Sequence, residues 1–425
     1  MIAMGIVITF ALFLLGSPIY SALGIGCGIL SLFSFGFTPA SVADLFTSSL
    51  NSFTLLALPL FILVGNLFLI SGSSKPLMDF MGSIFGRIPA SMGIASVAAC
   101  AFFAAISASS TATCVTIGLI MIPEMFRLGY NKGFASSIVA ASGGLGNLIP
   151  PSLFFIIYGT LEEINIATLF AAGMIPGIFV ATLLALTVYI VAKVHKVPTI
   201  PPVSWRERWN LFLKAIPSLI IPVVILGGIY GGFFTPTEAA AVACGLILIL
   251  GFLIYRKMTL KNLWDSLAQT AVQIGAIMIL VAGGIVLGKM FVVAGFPEAI
   301  RDYVIQSNMS STTFLILAGV VIFILGCFIE CVLMIYVCAN LFMTSVVHLG
   351  INPIHFGVII VVGALWGMTT PPMAESIYVV SKISGVESYD IIKWIWPYII
   401  TYGVAMYIVM MWPQMSLFLP RLLWP

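Results

Sequence analysis

Charge is what this 425-residue sequence has least of: 7% of its residues are Asp, Glu, Lys or Arg, where a water-soluble globular chain carries about a quarter. Such a chain cannot cover itself with a water-facing surface, which excludes a soluble enzyme. Histidine is scarce as well, with three in the chain and none paired with a carboxylate in a metal-binding or catalytic pattern. The seven cysteines (Cys27, Cys100, Cys114, Cys244, Cys327, Cys331, Cys338) include no Cys-x-x-Cys and sit inside apolar runs. Neither a secreted disulfide framework nor a zinc ribbon is written here, and Cys327 and Cys331, four apart, read as small packing residues rather than a metal pair. A net charge of +3 is too small to point to nucleic acid. The start, MIAMGIVITFALFLLGSP, lacks a basic leading segment and is expected to be a retained helix, not a cleaved signal.

What the sequence has in abundance is apolar length. Hydrophobic residues make up 61% and the mean hydropathy is +1.19, the composition of an all-α, polytopic membrane protein. Apolar runs fall near 2–34, 52–71, 92–126, 133–158, 166–193, 215–233, 238–255, 266–296, 313–347, 353–380 and 394–412. Several have the wrong length for one crossing of about 20 residues. The runs 92–126 and 313–347 are too long and have polar centres, SASSTAT in one and Glu330 in the other. A helical hairpin that enters the membrane and turns back explains both; two crossings joined by a very tight turn fit as well. The runs 133–158 and 353–380 are interrupted by SGGLGNLIPPS and GALWGMTTPPM. Proline removes an amide donor and biases its predecessor away from helix, so each run should be two half-helices with an unwound middle. The run 2–34 must make two short crossings broken at GSP, and 72–91 and 297–311 read as interfacial helices in preference to exposed loops.

The two interruptions are related. At a constant offset of 221 across 128–160, Leu128, Gly129, Asn131, Ile138, Gly146, Pro150, Pro151 and Ile156 all meet identical residues, and the Gly146, Pro150 and Pro151 matches fall at the break. Hairpin plus broken helix is therefore an internal repeat. The turn FRLGYNK carries Arg127 and Lys132, whereas its counterpart HLGINPIH has no Lys or Arg. Basic loops stay cytoplasmic, so the copies should be inverted, with 193–214 and RKMTLK inside and FFTPTE outside. Following the chain from there puts both termini on the periplasmic side in a Gram-negative cell.

Lipid offers an unpaired backbone group no partner, so unwound chain at membrane depth needs protein, water or a bound ion. Two such segments, each near a polar hairpin tip, supply freed carbonyls for a small hard cation and half-helix N-termini for an anionic substrate. The glycines at 143, 144, 146 and 367 allow close backbone approach. Ser107, Ser109, Ser110 and Thr111 bring hydroxyls to the first tip, and Thr369 and Thr370 to the second break, although such residues also serve helix packing. Glu330 and Glu375 are ionisable groups at membrane depth, which marks them as functional candidates; protonated, hydrogen-bonded structural roles are the alternative. Glu124, Glu162, Glu163 and Glu238 fall at predicted ends and loops, where capping or solvated roles are expected.

The stretches SASSTATCVTIGLIMIPEMFRLGYNKGFASSIVAASGGLGNLIPPSLFFIIYG, FFTPTEAAAVA, LLALPLFILVGNLF and LGINPIHFGVIIVVGALWGMTTPP resemble the large membrane subunit of tripartite ATP-independent periplasmic (TRAP) transporters, over essentially the whole chain. The resemblance implies an elevator-type member of the ion transporter superfamily, driven by sodium, in the bacterial inner membrane. It implies a periplasmic binding protein that delivers an organic acid and a small four-helix membrane subunit that braces the scaffold. Scaffold helices would occupy 1–71, an arm helix 72–91, and one transport-domain half 92–193. Scaffold helices and loops would follow over 194–261, scaffold and arm over 262–311, the second transport half over 312–393 and a C-terminal transmembrane helix over 394–425. Carried over by motif, one sodium site would use Ser107, Gly146, Ile149 and Pro151, the other Gly326, Gly367, Thr370 and Met373. Substrate contacts would fall on Ser107, Ser152 and Glu330. The family usually has Asp where Glu330 stands and PPVG where this chain reads PPMAES, which makes Glu375 a possible modifier of specificity. A stand-alone carboxylate symporter or antiporter of the same superfamily is the nearest alternative.

Overall fold

The computed structural model describes residues 39–86, 88–197, 199, 203–424 and scattered positions before 39. The expected double crossing of 2–34, and Cys27, lie outside the described residues. Among the described residues every regular element is helical, and eight helices are long and apolar enough to cross a membrane. Their outward faces carry large apolar side chains such as Ile178, Ile190, Val223, Leu253 and Val272. In water such a surface would aggregate; against hydrocarbon it is the expected finish.

The chain opens with α1 (Pro39–Ser49), a 3₁₀ turn (Phe53–Leu56), α2 (Ala57–Ser71) and the short α3 (Ser74–Ile84), which leaves α2 through Gly72 in the left-handed region (φ +84°). The first long apolar run is a hairpin of α4 (Ser91–Ser107) and α5 (Ser110–Arg127). The next is the expected broken helix: α6 (Lys132–Gly143), a 3₁₀ turn over Gly144–Asn147, an irregular stretch, and α7 (Leu153–Leu161). Three long helices follow, α8 (Ile166–Val194), α9 (Trp205–Tyr230) and α10 (Pro236–Ile249), the last running on as a π turn over Leu250–Ile254. FFTPTE ends as a capping box: Thr235 accepts from the Glu238 amide, and the Glu238 carboxylate accepts from the Thr235 amide.

The second copy repeats the first: α11 (Leu260–Val293), the arm α12 (Phe296–Gln306), the hairpin α13 (Ser311–Phe328) and α14 (Cys331–His348), and the broken helix α15 (Pro353–Thr369) and α16 (Glu375–Ser384). The 221-residue offset seen at the breaks maps Ser110–Arg127 onto Cys331–His348 and Lys132 onto Pro353. Gly129 and Gly350, at the same offset, both turn the chain out of a hairpin at positive φ (+83° and +68°), a conformation that favours glycine. Helix α17 (Ser388–Met411) closes the repeat. Beyond Trp412–Pro413 lies α18 (Gln414–Leu423), a short amphipathic helix that the sequence reading did not separate from the preceding span.

Two contacts fix the relative direction of the copies. The Tyr158 hydroxyl, near the end of α7, donates to the Pro353 carbonyl at the start of α15 at 2.8 Å. Gly133, at the start of α6, packs so tightly on the Asp390 carbonyl, at the start of α17, that a Cβ there would lie 2.5 Å from it. The first broken helix thus begins where the second ends, and the two run antiparallel. The inversion expected from charge is present. Lys75, Arg127, Lys132, Lys193, Arg208, Lys214 and Lys257 gather toward one end of the bundle, where α3, α5, α8 and α9 have those termini; Lys289, Arg301 and Arg421 lie toward the other. Helices α2 and α11, one per copy, are joined inside the bundle by Asn66, whose amide donates to Thr270 (2.8 Å) and Gln273 (3.0 Å).

Candidate functional site

The first hairpin turns at Ala108, a left-handed residue, and Ser109 then caps α5 by accepting from the Ala112 amide at 3.3 Å. This tip rests on the first break. The Ser110 amide donates to Asn147 Oδ1 (3.2 Å), the Asn147 amide returns a bond to Ser110 Oγ (3.1 Å), and the Leu153 amide donates to the Ala108 carbonyl (3.4 Å). The tip therefore ends at the middle of the broken helix, which makes the hairpin turn back at that level. Gly146 has no room for a side chain: a Cβ would sit 2.5 Å from the Ser109 carbonyl oxygen and 2.6 Å from Thr113 Oγ1. Ser107 is fully buried, with its hydroxyl 3.2 Å from Thr113 Oγ1. The buried Ser152 donates to the Asn147 carbonyl and caps α7 by accepting from the Phe155 amide.

The second site is built the same way with different residues. Glu330 stands at the cap position of α14, its Oε2 accepting from the amides of Val332 (2.8 Å) and Leu333 (3.3 Å). At the 221-residue offset it is the counterpart of Ser109, so a carboxyl group takes the capping place of a hydroxyl. Gly326 and Gly367 bring two backbones together; a Cβ on Gly367 would lie 2.4 Å from the Gly326 carbonyl carbon. The Met373 amide donates to the Cys327 carbonyl at 3.3 Å, and Thr370 Oγ1 to the Trp366 carbonyl at 2.7 Å. Both breaks contain a cis Pro-Pro bond, Pro150-Pro151 and Pro371-Pro372.

The two sites are joined across the repeats. Thr111, on the first hairpin, donates to Glu375 Oε1 of the second break at 2.7 Å, and Glu375 lies within electrostatic reach of Glu330. Glu375, Pro372 and Met373 are exposed, beside the half-exposed Ser109, Thr111 and Glu330, so this seam faces an open surface. The fold thus gathers Ser107, Gly146, Ile149, Pro151 and Ser152 at one break and Gly326, Glu330, Gly367, Thr370, Met373 and Glu375 at the other. Ile149 and Pro151 are buried, Ile149 packing under Gly177 of α8. The carbonyls of Ile149, Pro151, Thr370 and Met373 accept no hydrogen bond among the described residues. No group of three His, Cys, Asp or Glu converges among the described residues either.

Sequence reasoning missed Asn147 and Thr113. Asn147 is the side chain that ties tip to break, and its signal was present: an amide, able to donate and accept at once, inside an otherwise apolar and glycine-rich break. Outside the spans, the loop residue Glu162 is more buried than a solvated loop acid should be, and burial pushes its carboxyl up to about 7.

Two inverted copies, each a hairpin whose tip closes on the break of a discontinuous helix, define a secondary-transporter fold of the inverted-repeat kind. A family model described as the DctM component of the tripartite ATP-independent periplasmic transporters matches residues 6–415. The C4-dicarboxylate TRAP transporter large permease protein DctM of Pseudomonas aeruginosa is 36% identical over 389 residues, 91% of each chain. The sialic acid TRAP transporter large permease protein SiaM of Vibrio cholerae is 32% identical over 88% of this chain and 87% of its own. The solved structure of the Alcanivorax borkumensis YdaH transporter shares the fold, with a TM-score of 0.58 over 95% of this chain and 97% of that one at 16% identity. The chain belongs to the DctM family of TRAP transporter large permeases.

Proposed function

We propose that this permease carries a small organic acid across the bacterial inner membrane in symport with sodium. Substrate is handed over by a periplasmic binding protein, and a small four-helix membrane subunit braces the scaffold helices. The relatives transport C4-dicarboxylates and sialic acid by name, which supports an acidic cargo. The basic end of the bundle is the cytoplasmic one, which leaves α18 and the C-terminal side periplasmic, with the N-terminus assigned to the same side.

The observation that carries the sodium reading is the set of unpaired carbonyls at Ile149, Pro151, Thr370 and Met373, beside glycines that admit no side chain. Oxygen ligands from backbone suit a hard monovalent ion, and at the buried first break lipid offers those oxygens no partner. Ser107, Gly146 and Gly326 complete the ion-binding backbones. Ser152 and Glu330 mark where the acid docks, against the N-termini of α7 and α14, with Glu375 modifying its selection. In the proposed cycle, ions order tip and break, the acid seats between them, and both hairpins cross as one body against the scaffold.

Reconstitution in proteoliposomes tests the reading. Uptake is expected only with an inward sodium gradient, the binding protein and the small subunit together. Uptake by this chain alone, or uptake indifferent to sodium, would overturn it.

A further inference from the structure

One apolar trough runs from the arm helix toward the first break, with Ile84 and Ile178 of its lining exposed on the outer surface. It holds about 520 Å³ between the arm helix α3, the hairpin limb α4 and the long helix α8, with Leu226 of α9 completing the lining. Its floor is flat because Ala98, Ala101 and Ala105 follow one another along α4, and Ala181 and Ala185 of α8 keep the far wall low. The stretch of α4 that lines it, from Ile94 to Ala105, spans about 16 Å, the scale of much of an acyl chain. Its lining extends to Ile149 of the first break.

At its other end the trough reaches the arm helix α3. Ile84 lines it and also lines a second cavity, of about 320 Å³, walled by Phe80, Trp205, Arg208, Trp209 and Phe212. Trp205 and Trp209 are exposed at the start of α9, the position of an interfacial aromatic belt. Arg208 is held in place there: its Nε donates to the Ser83 carbonyl of α3 at 3.1 Å, and its guanidinium sits 5.6 Å from the Trp205 ring centroid. It makes no ion pair among the described residues. A fixed cation at the headgroup level, continuous with an apolar trough of acyl-chain length, has the charge and shape of one ligand class.

We propose that the two cavities form a single site for an anionic phospholipid, with one acyl chain along the alanine floor of α4 and the phosphate at Arg208. An arginine on the cytoplasmic side meets the phosphate with the nitrogens not used by Ser83, and the tryptophans sit beside the glycerol region. Occupied, the trough places hydrocarbon beside Ile149, so the lipid touches one residue of the first break without entering it.

Native mass spectrometry of the full-length chain, titrated with equal amounts of phosphatidylglycerol and phosphatidylcholine, tests the site. One phosphatidylglycerol should be retained, preferred about fivefold over phosphatidylcholine, the effect expected of one basic side chain near an anionic headgroup. Arg208→Gln should erase the preference, and Ala101→Phe, which fills the trough, should lower retention of both lipids. Thermal unfolding and gel filtration identify any variant that fails to fold. Equal retention of the two lipids, or a preference that survives Arg208→Gln, would overturn the proposal. So would photo-crosslinking from position 84 that captures the small subunit in the assembled complex instead of lipid.

Discussion

Asn147 shows how one side chain can hold a membrane-depth break together. Its carbonyl takes the Ser110 amide and its amide gives a bond to Ser110 Oγ, while its backbone carbonyl receives Ser152. Asn147→Leu keeps the volume and removes both side-chain bonds, leaving buried polar groups without partners at a cost of about 1–3 kcal/mol. Thermal unfolding in detergent should fall by several degrees and uptake should drop, whereas Asn147→Asp, which keeps the acceptor, should lose less. Equal behaviour of the two variants would contradict this assignment. Glu162 supplies a pH dependence with a definite sign. Burial raises its carboxyl to about 7 in the folded chain, so the folded state binds the proton more tightly than the unfolded one. Its favourable contribution is complete below the ordinary glutamate range and is lost as pH rises through about 7. The melting temperature of the wild type should therefore fall relative to Glu162→Gln between about pH 4.5 and 7 and run parallel above. A difference independent of pH would refute it.

At the scale of elements, the breaks were legible because Gly and Pro cannot hide in a helix, and the hairpins because their length and polar centres exceed one crossing. The repeat was legible for the same reason, since its matches concentrate where backbone geometry constrains residue choice. What the sequence concealed were features set by tertiary contact. The seam between Thr111 and Glu375 joins positions far apart in the chain, and nothing local announces it. Helix α18 was hidden behind Pro413, where an apolar run continues after the span has ended. The π turn at Leu250–Ile254 likewise leaves no mark in the hydropathy. Helices α13 and α15 meet backbone to backbone. A Cβ on Gly367 meets backbone atoms of Gly326 at 2.4–2.7 Å, and backbone cannot rotate away as a side chain can. Gly367→Ala should cut sodium-dependent uptake at least about tenfold while membrane insertion persists. Gly275→Ala on α11, where a Cβ meets nothing within 4 Å, is the control and should transport as the wild type does.

The whole molecule is organised by inversion. Antiparallel broken helices place two discontinuities at one level, each closed by the tip of its own hairpin, and Thr111–Glu375 couples one to the other. Such an arrangement seats each stretch of irregular backbone on the tip of its own hairpin, a combination that a purely structural bundle has no use for. Ile149 of the first break also borders the trough proposed for lipid, so a bound lipid would touch the half proposed to hold the ion. High-resolution cryo-electron microscopy of the assembled transporter, prepared in sodium and again with choline replacing it, examines the ion sites directly. Density within ligand distance of the Ile149 and Pro151 carbonyls, and of the Thr370 and Met373 carbonyls, should be present in the first map and missing from the second. Identical maps, with both breaks filled only by protein, would contradict the account.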